Sequence, residues 1–225
     1  EKLVRHGDDR RPAFAFGLSL LNALLLIVIV FSLVYALCAS WIVPWLTPGF
    51  RGEKLALTIK LARIMAWQPV LLTVSFIFSG ILNSFKRFLS YALAPILYNI
   101  GIIVGVLVLV PLMGLPGLAW GVVLGALLHM LVQVPGIRAV GFRWQPRIYW
   151  LATDWRAILR MMLPRMFALG AEQVNLLLAT VIGSVLLTGS ITVFYLANNI
   201  QSLPIGIFGL GFAQAAFPTM AEQAA

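Results

Sequence analysis

Glu172 is the one charged residue between Arg165 and Glu222, about midway along an expected membrane span. A charge at the centre of a lipid-embedded helix costs about 2.5–3.5 kcal/mol on insertion scales. Such a residue either lines a cavity, where it meets an ion, a proton or a substrate, or is neutral and packed against a neighbouring helix. Arg165 lies seven residues earlier, on the same helical face. It is either a cavity cation or a side chain that snorkels to the headgroups. Gln173 and Asn175 follow Glu172, and Asn198, Asn199, Gln201 and Ser202 crowd the next apolar run. Amides inside lipid bond neighbouring helices, at roughly 0.6–2 kcal/mol each, or line a cavity; as a cluster these favour a cavity. Tyr195, Asn199 and Ser202 share one helical face, and Pro204 is expected to kink that helix beside them as a hinge. Lys60 and Arg63, three residues apart, form a candidate outer cation patch, again with snorkelling as the alternative.

Other polar residues suggest less chemistry. His129 has no partner in the sequence around it and reads as a packing residue, as do Asn83 and Asn99. Asp8-Asp9 is the only acid pair, and it sits among basic residues. The single cysteine, Cys38, excludes an internal disulfide and a Cys-cluster metal site. No catalytic residue, metal or cofactor is expected.

These residues have to be positioned by membrane-spanning helices. Of 225 residues, 61% are hydrophobic and only 10% charged, against roughly 45–50% and about 25% in soluble domains. No charge occurs between Arg11 and Arg51, between Arg63 and Lys86, or between Arg87 and Arg138. A crossing takes about 20 residues. The runs predict spans at about 14–44, closed by Pro44 and Pro48, and 57–82. The long third run is divided by Pro111, Gly114, Pro116 and Gly117 into 91–111 and 117–136. The last is divided at Leu187-Thr188-Gly189-Ser190 into 157–187 and 191–217. The fold class is all-α, a polytopic helical membrane protein with six spans, because lipid cannot satisfy open backbone groups. Gly101/Gly105 and Gly121/Gly125 are small-residue pairs for close helix packing.

Sixteen Lys and Arg against seven Asp and Glu give a net charge of +9. The cations sit between apolar runs, as topology determinants do, so nucleic acid is not an expected partner. One side collects Lys2, Arg5, Arg10 and Arg11, then Lys86 and Arg87, then Arg138, Arg143, Arg147 and Arg156, the other only Arg51 and Lys54. The first side, with both ends of the chain, is expected to be cytoplasmic. Residues 138–156, rich in Arg and Trp, read as an amphipathic segment on that leaflet and as the only domain boundary. It separates 1–137 from 157–225. The chain starts at Glu1, without a signal-peptide pattern, and is expected to be part of a longer membrane protein.

Several segments resemble, in order, elements of the MurJ (MviN) lipid II flippases. They are Pro48-Gly49-Phe50, Gly80–Phe88, Ala94-Pro95 with Asn99 and Gly101, Leu163-Pro164-Arg165 followed by Gln173-Val174-Asn175, and Tyr195–Gly209 ending in Phe217-Pro218. The resemblance implies the MATE-like two-lobe architecture of the multidrug/oligosaccharidyl-lipid/polysaccharide exporters, with this chain as the third to eighth helices. Residues 1–137 would then complete the first lobe, 138–156 would be the inter-lobe linker, and 157–225 would open the second lobe. It implies a transporter, not an enzyme, of a bacterial plasma membrane. That transporter flips lipid II, the undecaprenyl-pyrophosphate-linked peptidoglycan precursor, by alternating access between lobes.

Through the resemblance, Arg165 matches the Arg of the family's "LPR" and Arg63 that of its "LxRIM" pattern. Both become candidates for meeting the diphosphate, a group suited to guanidinium. Gln173 and Asn175 match "QIN". Some members carry Asp-Arg where this chain has Asn198-Asn199, so that charge comes from elsewhere or the substrate contact differs. Many members carry a small residue where this chain has Glu172. Partners expected are lipid II and membrane lipids, with the protein a monomer. Coupling is expected to draw on the membrane potential or on ions. The competing readings are a related exporter of polysaccharide-linked lipids or amphipathic drugs, a membrane-embedded transferase, which would want clustered acids for a metal, and a non-transporting scaffold.

Overall fold

The computed structural model describes residues 11–146 and 155–204. All regular structure among these residues is helical: α1 (Arg11–Leu46), α2 (Gly52–Met65), α3 (Gln68–Ser84), α4 (Phe88–Ala92), α5 (Ala94–Val104), a π turn (Gly105–Leu109), α6 (Val110–Met113), α7 (Pro116–Leu131), α8 (Val134–Ala139), α9 (Trp155–Val185) and α10 (Ser190–Pro204). Five stretches are long and apolar enough to cross a membrane: Phe14–Leu46, Gly52–Ser84, Phe88–Met113, Pro116–Ala139 and Leu159–Val185. They correspond to the first five expected spans. The sixth begins as α10, and its expected remainder, residues 205–217, lies outside the described residues.

The boundaries shift for identifiable reasons. Pro44 does not close α1, which runs on to Leu46 with the proline inside it. The chain turns instead at Pro48-Gly49, where Phe50 N–H donates to Thr47 O at 3.0 Å. The expected second span is not one helix. Pro69, near the start of α3, has no N–H to give to Met65 O, and the chain breaks at Ala66-Trp67 between α2 and α3. Nor does Pro111 end the third span, since it sits near the start of α6 just after the π turn. Gly114, at φ +71°, ends it, and Pro116 opens α7 in the position where a missing N–H is harmless.

The chain divides into two compact units, residues up to Pro44 with Arg51–Ala168, and Trp45–Phe50 with Leu169 onward. The core of the first is Leu18 and Leu21 of α1, Ile81 and Leu82 of α3, Ile137 of α8, and Val140 and Phe142 of the following loop. Leu21 and Leu82 are essentially sealed. Phe14 and Phe78 meet Phe142 edge-on, at 5.6 and 6.4 Å between ring centroids. Residues at the start of the expected amphipathic segment thus fold into this core, while 147–154 lie outside the described residues.

The small-residue pairs form a seam. α5 and α7 run antiparallel, with Gly101 against Gly125, Gly105 against Gly121, and Gly117 against the Leu109 backbone. A Cβ at Gly105 would fall 2.5 Å from the Gly121 Cα, so only glycine permits this approach.

α3 ends in a glycine-free Schellman turn. Arg87 N–H donates to Leu82 O at 2.8 Å and Lys86 N–H to Asn83 O at 3.0 Å, with Lys86 left-handed at φ +56°.

In the second unit α9 and α10 form a hairpin around Gly189, at φ +100°. Ser190 Oγ donates to Leu187 O at 2.8 Å. The loop after α1 packs on the end of α9, where Gly49 N–H donates to Ser184 Oγ at 3.3 Å. A Cβ at Gly49 would collide with the Ser184 carbonyl.

Candidate functional site

The polar residues singled out in the sequence fall into three groups. The largest lies on the α9–α10 hairpin. Glu172, Gln173 and Asn175 are on α9, and Asn198, Asn199, Gln201, Ser202 and Pro204 on α10. Two contacts fix the hairpin register: the hydroxyls of Thr180 and Tyr195, 3.0 Å apart, and Gly183 against Ile191. Continued along both helices, that register places Glu172 and Gln173 level with Ser202, and Asn175 level with Asn199.

Most of this group is exposed and without a side-chain partner among the described residues. Glu172, Gln173, Asn175, Asn199, Gln201 and Ser202 are exposed and Asn198 is half-buried. The Ser202 hydroxyl donates to Asn198 O at 2.7 Å, within its own helix. The side chains of Glu172, Gln173, Asn175, Asn199 and Gln201 make no hydrogen bond or ion pair to another described residue. Pro204 is the last described residue of α10, so the kink expected there falls at the limit of the described residues. The arrangement offers one carboxyl group and several amide and hydroxyl groups at one level of a hairpin. That chemistry suits a ligand rich in hydroxyls and amides.

Arg165 forms the second group alone. It is exposed on the first half of α9, one residue after Pro164. Lys60 and Arg63 form the third, both exposed on α2. Here the structure separates them. Arg63 Nε donates to Ala36 O of α1 at 3.1 Å, while Lys60 makes no such bond to a described residue. Arg63 is anchored to α1 through one of its five N–H groups and keeps the rest for an anion. Beside it, an apolar cavity of about 650 Å³ opens between α1 and α2, lined by Phe31, Tyr35, Leu61 and Met65 among others.

His129, read as a packing residue, is buried and has a partner that the sequence around it does not show. Its Nδ1 lies 2.6 Å from Ser75 Oγ. Gln133 Nε2 donates to Ser75 Oγ at 2.6 Å and to His129 O at 3.0 Å. Ser79 Oγ donates to Gln133 Oε1 at 3.0 Å. Ser75, His129 and Gln133 are buried. The ring edges of Phe76 and Tyr98 close over the imidazole, and Gln68 Nε2 donates to Tyr98 OH at 2.9 Å. A signal for this network existed. Ser75/Ser79 and His129/Gln133 are both i, i+4 pairs on apolar helices, and alternate spans run parallel, so the two pairs can meet at one offset. Asn99 donates to Pro95 O at 3.0 Å within its own helix. Among the described residues no three His, Cys, Asp or Glu side chains converge to hold a metal.

Comparison with known proteins follows the same residues. The sequence model of a family described as "Lipid II flippase MurJ" matches residues 3–225. A "Probable lipid II flippase MurJ" of Haemophilus influenzae is 35% identical over 187 residues, 81% of this chain and 36% of the relative's own length. A protein of the same description from Vibrio cholerae is 31% identical over 189 residues, 82% of this chain and 36% of the relative. The "Lipid II flippase MurJ" of Burkholderia cenocepacia is 28% identical over 226 residues, 97% of this chain and 43% of the relative. The chain therefore spans well under half the length of these curated relatives.

Proposed function

The chain belongs to the lipid II flippase MurJ family, and from that premise we propose that the protein it represents carries lipid II from the inner to the outer leaflet of a bacterial plasma membrane by alternating access. The observation that carries this reading is the family match over residues 3–225, joined to a hairpin whose carboxyl group and most of whose side-chain amides have no side-chain partner among the described residues.

Lipid II has three parts with different needs. The diphosphate wants guanidinium, which Arg165 and Arg63 supply. The sugars and peptide want amides and hydroxyls, which Gln173, Asn175, Asn198, Asn199, Gln201 and Ser202 supply. The polyprenyl tail stays in lipid. Glu172 responds to the same cavity, through an ion, a proton or a substrate group. Because the substrate is anionic, a membrane potential acts on it by about 2.3 kcal/mol per charge per 100 mV, so no cofactor is required. We read the protein as a monomeric transporter rather than a catalyst. The connections rich in Lys and Arg, with both ends of the chain, lie on the cytoplasmic side. In this reading residues 1–137 belong to one lobe and 157–225 to the other, joined by 138–156.

The test uses the full-length protein in cells depleted of their own flippase, with lipid II accessibility to an enzyme added outside as the readout. Accessibility should be restored. Glu172→Gln and Arg165→Ala, at normal protein levels, should each lower it about tenfold or more. Full activity in both variants returns them to packing and snorkelling. No accessibility from a well-expressed protein, in a host shown to support a known flippase, favours a related exporter of polysaccharide-linked lipids or amphipathic drugs.

A further inference from the structure

A second cavity, of about 580 Å³, lies where α8 gives way to its following loop, within the size range of small-molecule sites. Its lining joins apolar side chains, Phe78, Val134 and Phe142, to Arg138, Arg143 and Trp144. The loop that carries Phe142, Arg143 and Trp144 is held from both sides. Val140 and Phe142 are buried in the core. Trp144 Nε1 donates to Asn22 Oδ1 at 3.0 Å, and Asn22 Nδ2 donates to Gln145 O at 2.6 Å. Arg143 is thus fixed between two anchored aromatic residues at the cavity. Arg138 and Arg143 are exposed, and their guanidinium groups make no ion pair or hydrogen bond to a described residue. Lys86 and Arg87 add positive charge at the same end, just beyond α3.

We propose that this recess binds an anionic phospholipid of the surrounding leaflet. The phosphodiester sits on the Arg138 and Arg143 guanidiniums, and an acyl chain lies along Phe78, Val134 and Phe142. Trp144, amphipathic and at the mouth, suits the level of the glycerol backbone. Basic pockets between transmembrane helices on the cytoplasmic side are suited to anionic headgroups. The lining contains no side-chain amide or hydroxyl, so it offers charge and apolar surface but nothing for sugars or peptide. That favours a bilayer phospholipid over the glycosylated substrate. The bound lipid would tie α8 and its loop to the leaflet.

The full-length protein is reconstituted in phosphatidylcholine vesicles containing either brominated phosphatidylglycerol or brominated phosphatidylcholine. Quenching of Trp144 is read as the difference from Trp144→Phe. Brominated phosphatidylglycerol should quench at a roughly thirtyfold lower mole fraction, from two lipid-facing cations, and Arg138→Gln/Arg143→Gln should remove the preference. Phosphatidylglycerol retained by the intact protein in native mass spectrometry, which needs no tryptophan substitution, should fall by a similar factor in that double variant. Equal quenching by the two lipids overturns the proposal, as does a preference that survives in the double variant. Selective displacement by the polyprenyl-pyrophosphate precursor at equal mole fraction assigns the recess to substrate and also overturns it. So does a preference that emerges only in Asp8→Asn/Asp9→Asn, because the chain's own acids would then fill the site.

Discussion

Ser75 holds two buried partners at once, His129 Nδ1 and Gln133 Nε2, each at 2.6 Å. Ser75→Ala leaves His129 Nδ1 without this partner and Gln133 Nε2 with only its bond to His129 O, and an unmet buried polar group costs about 1–3 kcal/mol. The substitution should lower the melting temperature of the purified full-length protein by several degrees. Ser84→Ala, which gives up only a bond to Gly80 O of its own helix, should shift it much less. Residue types were legible in the sequence here, but pairings were not. Glu172, Arg165 and the amides stood out because each is polar in an apolar run. The network of Ser75, Ser79, His129 and Gln133 was marked only by two matching i, i+4 spacings, because its bonds join residues 54 to 58 positions apart and spacing alone does not say which helices are neighbours. The anchoring of Arg63 on Ala36 O was equally hidden, because a backbone carbonyl leaves no mark in a sequence.

At the scale of elements, the α5–α7 seam and the end of α3 make opposite demands on glycine. Gly125→Leu should force α5 and α7 apart, since even a Cβ there meets the Tyr98 carbonyl at 2.5 Å; overpacking of this kind costs about 1–3 kcal/mol or more. Gly170→Ala serves as the control. Nothing lies within 4 Å of its added Cβ, and in the interior of α9 alanine should gain up to about 1 kcal/mol. Lys86 has the reverse defect, a side chain at φ +56°. Lys86→Gly should stabilise the protein by about 1 kcal/mol in thermal unfolding. Helix ends marked by Gly and Ser, at 114 and 189, were legible because those residues take conformations others avoid. The break at Ala66-Trp67 was less so, because its cause is one missing N–H, at Pro69, inside a continuous apolar run.

At the scale of the whole molecule, the chain covers 36–43% of the length of the relatives compared with it, while exposed large apolar side chains occur on every long helix. The 225-residue chain alone, inserted in vesicles, should not make lipid II accessible from outside, whereas the full-length protein should; activity from the isolated chain would show that these helices suffice. The fold class and the first five spans were legible, because an uncharged apolar run as long as a bilayer is wide seldom serves any purpose but crossing one. The division into two compact units within α9, after Ala168, was harder to read, because it falls inside one continuous helix, Trp155–Val185, even though Arg156, Arg160 and Arg165 all precede it.

The π turn at Gly105–Leu109 has a consequence for how this helix tolerates changes of length. A π turn accommodates one residue more than an α turn. Deleting one residue from it would restore a regular α-helix and rotate Gly101 by about 100° relative to Leu109. Both face α7 now, against Gly125 and Gly117, and a regular helix could keep only one of them there. A single-codon deletion in this turn should therefore be far more damaging than any conservative substitution of Val106, Leu107 or Val108, whose side chains are exposed.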